Sequence, residues 1–138
     1  APIEAEVRGL LGTAIFAADE ETMEHVVGKL LREKDKTVAV YEDLTCGQLA
    51  ERLQTASGEK FQAGFICNSE SSTRALLEHS LVSKNIDALS KDPVALTDAL
   101  ALGVRTQSSS DFGLAVHAIT DPDRKIQNLP KNRKNSNF

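Results

Sequence analysis

The hydrophobic residues of this chain change their period several times, and each change marks an element. Over residues 3–16, Val7, Leu10, Leu11, Ala14 and Ile15 share one helical face despite Gly9 and Gly12. Residues 17–21 form a polar break, with Asp19 available near a helix start. Met23, Val26, Val27, Leu30 and Leu31 then recur at i, i+3, i+4, i+7 and i+8. That spacing predicts an amphipathic helix ending near Lys34, with basic residues in its last turn. Residues 37–41 are a short β-branched strand run after Lys36, and Glu42-Asp43 makes a polar turn. An amphipathic helix over residues 45–55 follows, carrying Leu49, Ala50 and Leu53. Thr45 with Gln48 three residues later fits a capping box, which sets the helix start at Thr45.

Ser57-Gly58 is a turn, residues 61–67 read as a strand, and residues 69–78 read as a helix burying Ala75, Leu76 and Leu77. Residues 79–91 fit a short helix or an apolar loop equally well, through Leu81, Val82, Ile86 and Leu89. Asp92-Pro93 is a strong helix start, an acceptor at the N-cap followed by proline at the first helical position. Leu96, Ala99, Leu100, Gly103 and Val104 supply its inward face, and residues 106–110 read as a polar linker. Residues 112–119 are apolar at nearly every position, as expected of a buried central strand. Strands alternating with helices predict a layered α/β sheet. In such sheets ligands bind at the carboxyl ends of strands, which directs attention to residues 42–47. From Asp121 onward the chain is polar and basic, as expected of a loose loop or tail.

Composition narrows the function classes. A chain of 138 residues suits one domain with a real core. Its net charge of −4 gives no basic face for nucleic acid. No apolar run approaches the ~20 residues of a membrane span, and the acidic first residues lack the apolar core of a signal peptide. Cys46 and Cys67 make no disulfide framework, so a cytoplasmic location is expected. The missing initiator Met suggests a processed or excised fragment. His117 lies near a strand end among Asp111, Asp121 and Asp123, but the spacing matches no metal motif, so neither metal nor cofactor is expected. His25 and His79 fall on helical patterns as surface or boundary residues. Cys46 reads as a small residue or as a reactive thiol at a helix N-terminus, and Cys67 as core.

YEDLTCGQLAERL, residues 41–53, resembles the A-E-S-C-T-G-G-L-L-A-x-x-L signature of the C-terminal domain of the CinA family, which includes amidohydrolases that deamidate nicotinamide mononucleotide. AGFICNSESSTRALL, residues 63–77, is similar to that family's G-G-V-V-A-Y-S-N-E-A-K-I-R-L-L. DFGLAVHAITDPDR, residues 111–124, is similar to D-L-G-L-A-I-T-G-I-A-G-P-G-G. The resemblance implies a three-layer α/β/α sandwich with a mixed central sheet. It divides the chain into a helical lead-in over residues 1–35, the α/β domain over 36–124 and a polar tail over 125–138.

The family's serine aligns with Asp43, its lysine with Thr73 and its tyrosine with Asn68. A serine nucleophile needs a base, and neither half of that pair survives. The family's G-G becomes Cys46-Gly47, its T-G becomes His117-Ala118, and its G-P-G-G ends in Arg124. Glycine in such loops lets backbone N–H groups approach an anion, and two aspartates there repel a phosphate. The expected function is a catalytically degenerate binding or assembly module. The alternatives are an active deamidase with altered residues or a non-catalytic nucleotide sensor. Glu42, Thr45, Cys46, Gly47, His117 and Arg124 are the expected ligand contacts, with Glu42 also suited to holding the N-terminus of the next helix. A pyridine nucleotide or another small molecule is the implied partner. After Ile119 the family adds a strand and a helix, which here are either absent or outside this fragment. A homo-oligomer is therefore expected, with Leu10, Leu11 and Ile15 among its buried contacts.

Overall fold

The computed structural model describes residues 2–12, 20–80 and 86–118. Helix α1 spans Pro2–Leu11, α2 Met23–Lys34, α3 Gln48–Ser57, α4 Glu70–His79, α5 Ile86–Leu89 and α6 Pro93–Ser108. Strands β1 (Val38–Glu42), β2 (Phe61–Ile66) and β3 (Phe112–Val116) form one sheet in the order β2-β1-β3. Both pairings are parallel, with Val40 opposite Gly64 and Leu114, and Tyr41 opposite Phe65 and Ala115. The antiparallel member of the expected mixed sheet is not among the described residues. Parallel neighbours require crossovers, and here the helices supply them on both faces, giving three layers.

Side chains alternate along each strand, so the two faces receive different residues. Ala39 and Tyr41 face α4 and α6, where they join Leu76, Leu77, Ala99, Leu100 and Val104 in the core cluster. Gly113 lies on the same face, and a Cβ there would stand 2.0 Å from the Ala101 carbonyl oxygen. Only glycine lets α6 pack so closely on β3. Val38, Val40 and Glu42 face the other way, toward α2 and α3, and every residue of β1 is buried.

The order β2-β1-β3 does not place β3 at the centre of the described sheet, where its apolar run predicts it. Among the described residues it is an edge, and Phe112 and Leu114 remain 53% and 43% exposed. They line an apolar groove of about 660 Å³ with Val27, Leu30 and Val38. The N-terminus of β3 is clamped to that of β1. Asp111 accepts from the Thr37 amide at 2.9 Å and its hydroxyl at 3.2 Å, while the Asp111 amide donates to Thr37 Oγ1 at 3.0 Å.

Two boundaries and one buried face differ from expectation. The polar linker over residues 106–110 is mostly helix, because α6 runs to Ser108 before Ser109 turns left-handed at φ 55°. Ala75 is exposed while Leu76 and Leu77 are buried, since three consecutive residues span too much of a helix to share one face. Helix α3 begins at Gln48 and not Thr45, because Cys46 and Gly47 take left-handed conformations at φ 51° and 92°. The start at Asp92-Pro93 is as read, with the Asp92 carboxylate accepting from the Val94 and Ala95 amides at 3.1 and 3.2 Å. The expected α1 extension beyond Gly12, with Ile15, and Asp19, Leu81 and Val82 lie outside the described residues. No helix among the described residues is long and apolar enough to cross a membrane.

Candidate functional site

The three parallel strands end together, and a cleft of about 560 Å³ opens at their carboxyl ends beside α4 and α6. Register explains which residues meet there. Glu42 pairs with Val116 and Ile66, so the next residues along β1 and β3 are Asp43 and His117. The His117 Nδ1–Asp43 Oδ2 distance is 2.7 Å. The Ala118 amide donates to both Asp43 oxygens at 3.1 Å, and the Leu44 amide also donates to Oδ1. An ionised carboxylate offers only acceptors, so with Asp43 ionised the ring hydrogen sits on Nδ1. In the neutral imidazole Nε2 is then an acceptor.

Glu42, one residue earlier, faces away from the cleft and is fully buried. Its Oε1 accepts from Thr45 Oγ1 at 2.7 Å and from the Leu49 amide at 2.8 Å, and its Oε2 from the Ala50 amide at 2.9 Å. The carboxylate thus satisfies orphan donors at the start of α3, a capping role in place of the expected Thr45–Gln48 box. Burial pushes the Glu42 carboxyl up, but the bonds from Thr45, Ala50 and Leu49 outweigh it and hold the group below the usual range.

On the far wall, the buried Tyr41 hydroxyl is 2.9 Å from Thr73 Oγ1. Burial raises the Tyr41 phenol above its ordinary range, the Thr73 bond opposes that, and the Asp43 charge adds to it. Thr73 is placed by α4, whose N-cap Ser69 forms a reciprocal box with Ser72. The cleft residue Arg74 is paired with Asp87 at 2.8 Å and Glu70 at 4.0 Å. Burial raises the Cys67 thiol, against a lowering bond to Ser72.

All three family-equivalent catalytic positions, Asp43, Asn68 and Thr73, line the cleft, as does His117. Glu42, Thr45, Cys46 and Gly47 lie outside its lining, and Arg124 lies outside the described residues. Sequence reading missed the Asp43–His117 and Tyr41–Thr73 pairs. The first is set by the in-register pairing of β1 with β3, which no local pattern reports. Cys46 is exposed in the loop before α3, and Cys67 is partly buried against the core. Among the described residues no cluster of His, Cys, Asp and Glu could hold a metal ion.

Comparison with known proteins agrees with this fold. Residues 20–131 match the CinA C-terminal domain. A CinA-like protein of Acaryochloris marina is 33% identical over 94% of this chain and 31% of its own length. A CinA-like protein of Solibacter usitatus is 35% identical over 91% of this chain and 31% of its own. The chain thus spans about a third of the length of these curated relatives. The crystal structure of the competence/damage inducible protein CihA from Agrobacterium tumefaciens superposes with a TM-score of 0.61 at 21% identity. That match covers 78% of this chain and 66% of the other, and it speaks to the fold alone. With the family model matching residues 20–131, the chain belongs to the CinA C-terminal domain family.

Proposed function

We propose that this domain is a catalytically degenerate member of its family, a binding module whose cleft holds a small polar molecule such as a pyridine nucleoside or nucleotide. One observation carries the reading: both side chains in the serine and lysine positions are committed to other partners. The Asp43 carboxylate is engaged by two backbone amides and His117. The Thr73 hydroxyl is paired with Tyr41 and has no amine to accept a proton from a nucleophile. Purified protein should release no ammonia from nicotinamide mononucleotide above a no-protein control. Turnover that vanishes in Asp43→Ala would overturn the reading. Restoring Asp43→Ser with Thr73→Lys should recover little, because the glycine loop has also changed.

The Asp43–His117 pair favours one other reading. A carboxylate that orients an imidazole can make it a general base toward water, so a deamidase with altered residues is the competitor. Ammonia release that disappears in His117→Gln would establish it. Assembly belongs to the same proposal. Ile3, Leu10 and Leu11 are exposed on α1, and Phe112 and Leu114 beside α2, which supports self-association. Light scattering over a range of concentrations, on the wild type and on Leu11→Asp, tests it. A monomer throughout, unchanged by the substitution, removes the assembly role.

A further inference from the structure

The Asp43 carboxylate sits where a ligand anion would. Its oxygens take the Leu44 amide, the Ala118 amide and the His117 ring, donors drawn from the ends of two different strands. Converging backbone N–H groups beside an imidazole are the ordinary means of holding an oxyanion. Here the oxyanion is part of the chain, and the Asp43 side chain is only 12% exposed. A tethered carboxylate is present at high effective concentration, so a free phosphate competes poorly for the same donors. Nor does a phosphate find an unpaired guanidinium in the described cleft, since Arg74 already holds Asp87 and Glu70. Beside Asn68, the cleft lining offers the second ring nitrogen of His117, on the side of the imidazole away from Asp43.

We infer that the ends of β1 and β3 form an oxyanion pocket filled by the chain's own Asp43, so that the cleft selects phosphate-free ligands that donate a hydrogen bond to His117. The inference rests on the reading of the cleft as a binding site and adds the ligand class. A sugar hydroxyl or a carboxamide N–H supplies the donor. A ligand phosphate at the ends of β1 and β3 would meet the Asp43 carboxylate, which already holds the donors there. The same carboxylate that presents His117 excludes the anion.

Inorganic phosphate is the first probe, titrated into the full chain and followed at the amide resonances of Leu44 and Ala118. In the wild type these should not move. In Asp43→Ser and Asp43→Ala they should shift saturably, with phosphate affinity raised at least about tenfold, the scale set by one close like charge. Should both variants fail to fold, Asp43→Asn keeps an acceptor oxygen without the charge and should still raise phosphate affinity. The second probe pair is nicotinamide mononucleotide and the same nucleoside without its phosphate. The wild type should bind the nucleoside more tightly, with the His117 ring resonances shifting. Phosphate binding at Leu44 and Ala118 in the wild type, no gain in a folded Asp43 variant, a preference for the nucleotide, or a silent His117 would each overturn the inference. Ammonia release without phosphate binding in the wild type would sink the non-hydrolytic reading alone. Phosphate binding without ammonia release would sink this inference alone.

Discussion

The two faces of the sheet are built to different standards of closure. Toward α4 and α6, Ala39 and Tyr41 pack into a continuous cluster with Leu77, Leu100 and Val104, and Gly113 lets α6 approach β3 without a gap. Toward α2 and α3, the cover is complete over β1 but stops short of β3, where Phe112 and Leu114 line a groove. The closed face carries the cleft wall, because Tyr41 and Thr73 belong to it. The open face carries the Glu42 junction that sets α3. Packing is thus continuous on the side that shapes the cleft, while the other side leaves apolar area exposed.

Truncating one leucine on each face should break this comparison if it is wrong. Leu100→Ala removes a fully buried side chain and should cost about 2–5 kcal/mol in denaturant unfolding, whereas Leu114→Ala should cost under about 1 kcal/mol. Equal losses would mean that the groove is covered. Gly113→Ala sharpens the contrast, since its Cβ must push α6 off β3. A loss of about 1–3 kcal/mol, with changed resonances at His117, is expected.

Glu42 tests the open face by charge. Glu42→Gln should cost about 1–3 kcal/mol near neutral pH, because a buried bond to a charged acceptor is weakened. The folded pKa of Glu42 lies below its unfolded value. Its stabilisation is therefore complete above the unfolded pKa and is lost as pH falls through the folded one. Unfolding measured from neutral into acid should converge for the wild type and Glu42→Gln, and parallel curves would refute the linkage. The smallest effect belongs to Ser57, whose buried hydroxyl has no hydrogen-bond partner among the described residues. Ser57→Ala should be neutral or stabilise by up to about 1 kcal/mol, seen as an unchanged or raised midpoint.

Much of this was legible in the chain. Asp92-Pro93 announced α6, and the spacing of Leu96, Ala99, Leu100, Gly103 and Val104 gave its face, because capping and helical periodicity are local. The start of α3 was misplaced for a local reason that the residues concealed. Thr45 looks like an N-cap, yet the left-handed turn at Cys46 and Gly47 turns its hydroxyl to Glu42. β3 was placed at the centre because an apolar run reports a preference for burial, not the strand's position in the sheet. Asp43 was singled out as an altered serine position, but its partner His117 is 74 residues away and is set by strand register alone. That is information no window of sequence contains.

The same separation sets an order of events in synthesis. β1 is the middle strand, yet the chain that completes its second edge comes about 70 residues later. At roughly 5–20 residues per second, β1 waits about 4–15 s for β3. In that interval β1 can pair only with β2, and the edge that will receive β3 stays unpaired. The Thr37–Asp111 clamp lies at the N-terminal ends of both strands, so it is the first β1–β3 contact that a newly arriving β3 can make. Asp43 and His117 lie at the far ends of the same strands, so pairing that starts at the clamp reaches them last. With pairing started at the clamp, the cleft matures last, and a chain stalled before β3 presents an unpaired β1 edge to its neighbours on the ribosome.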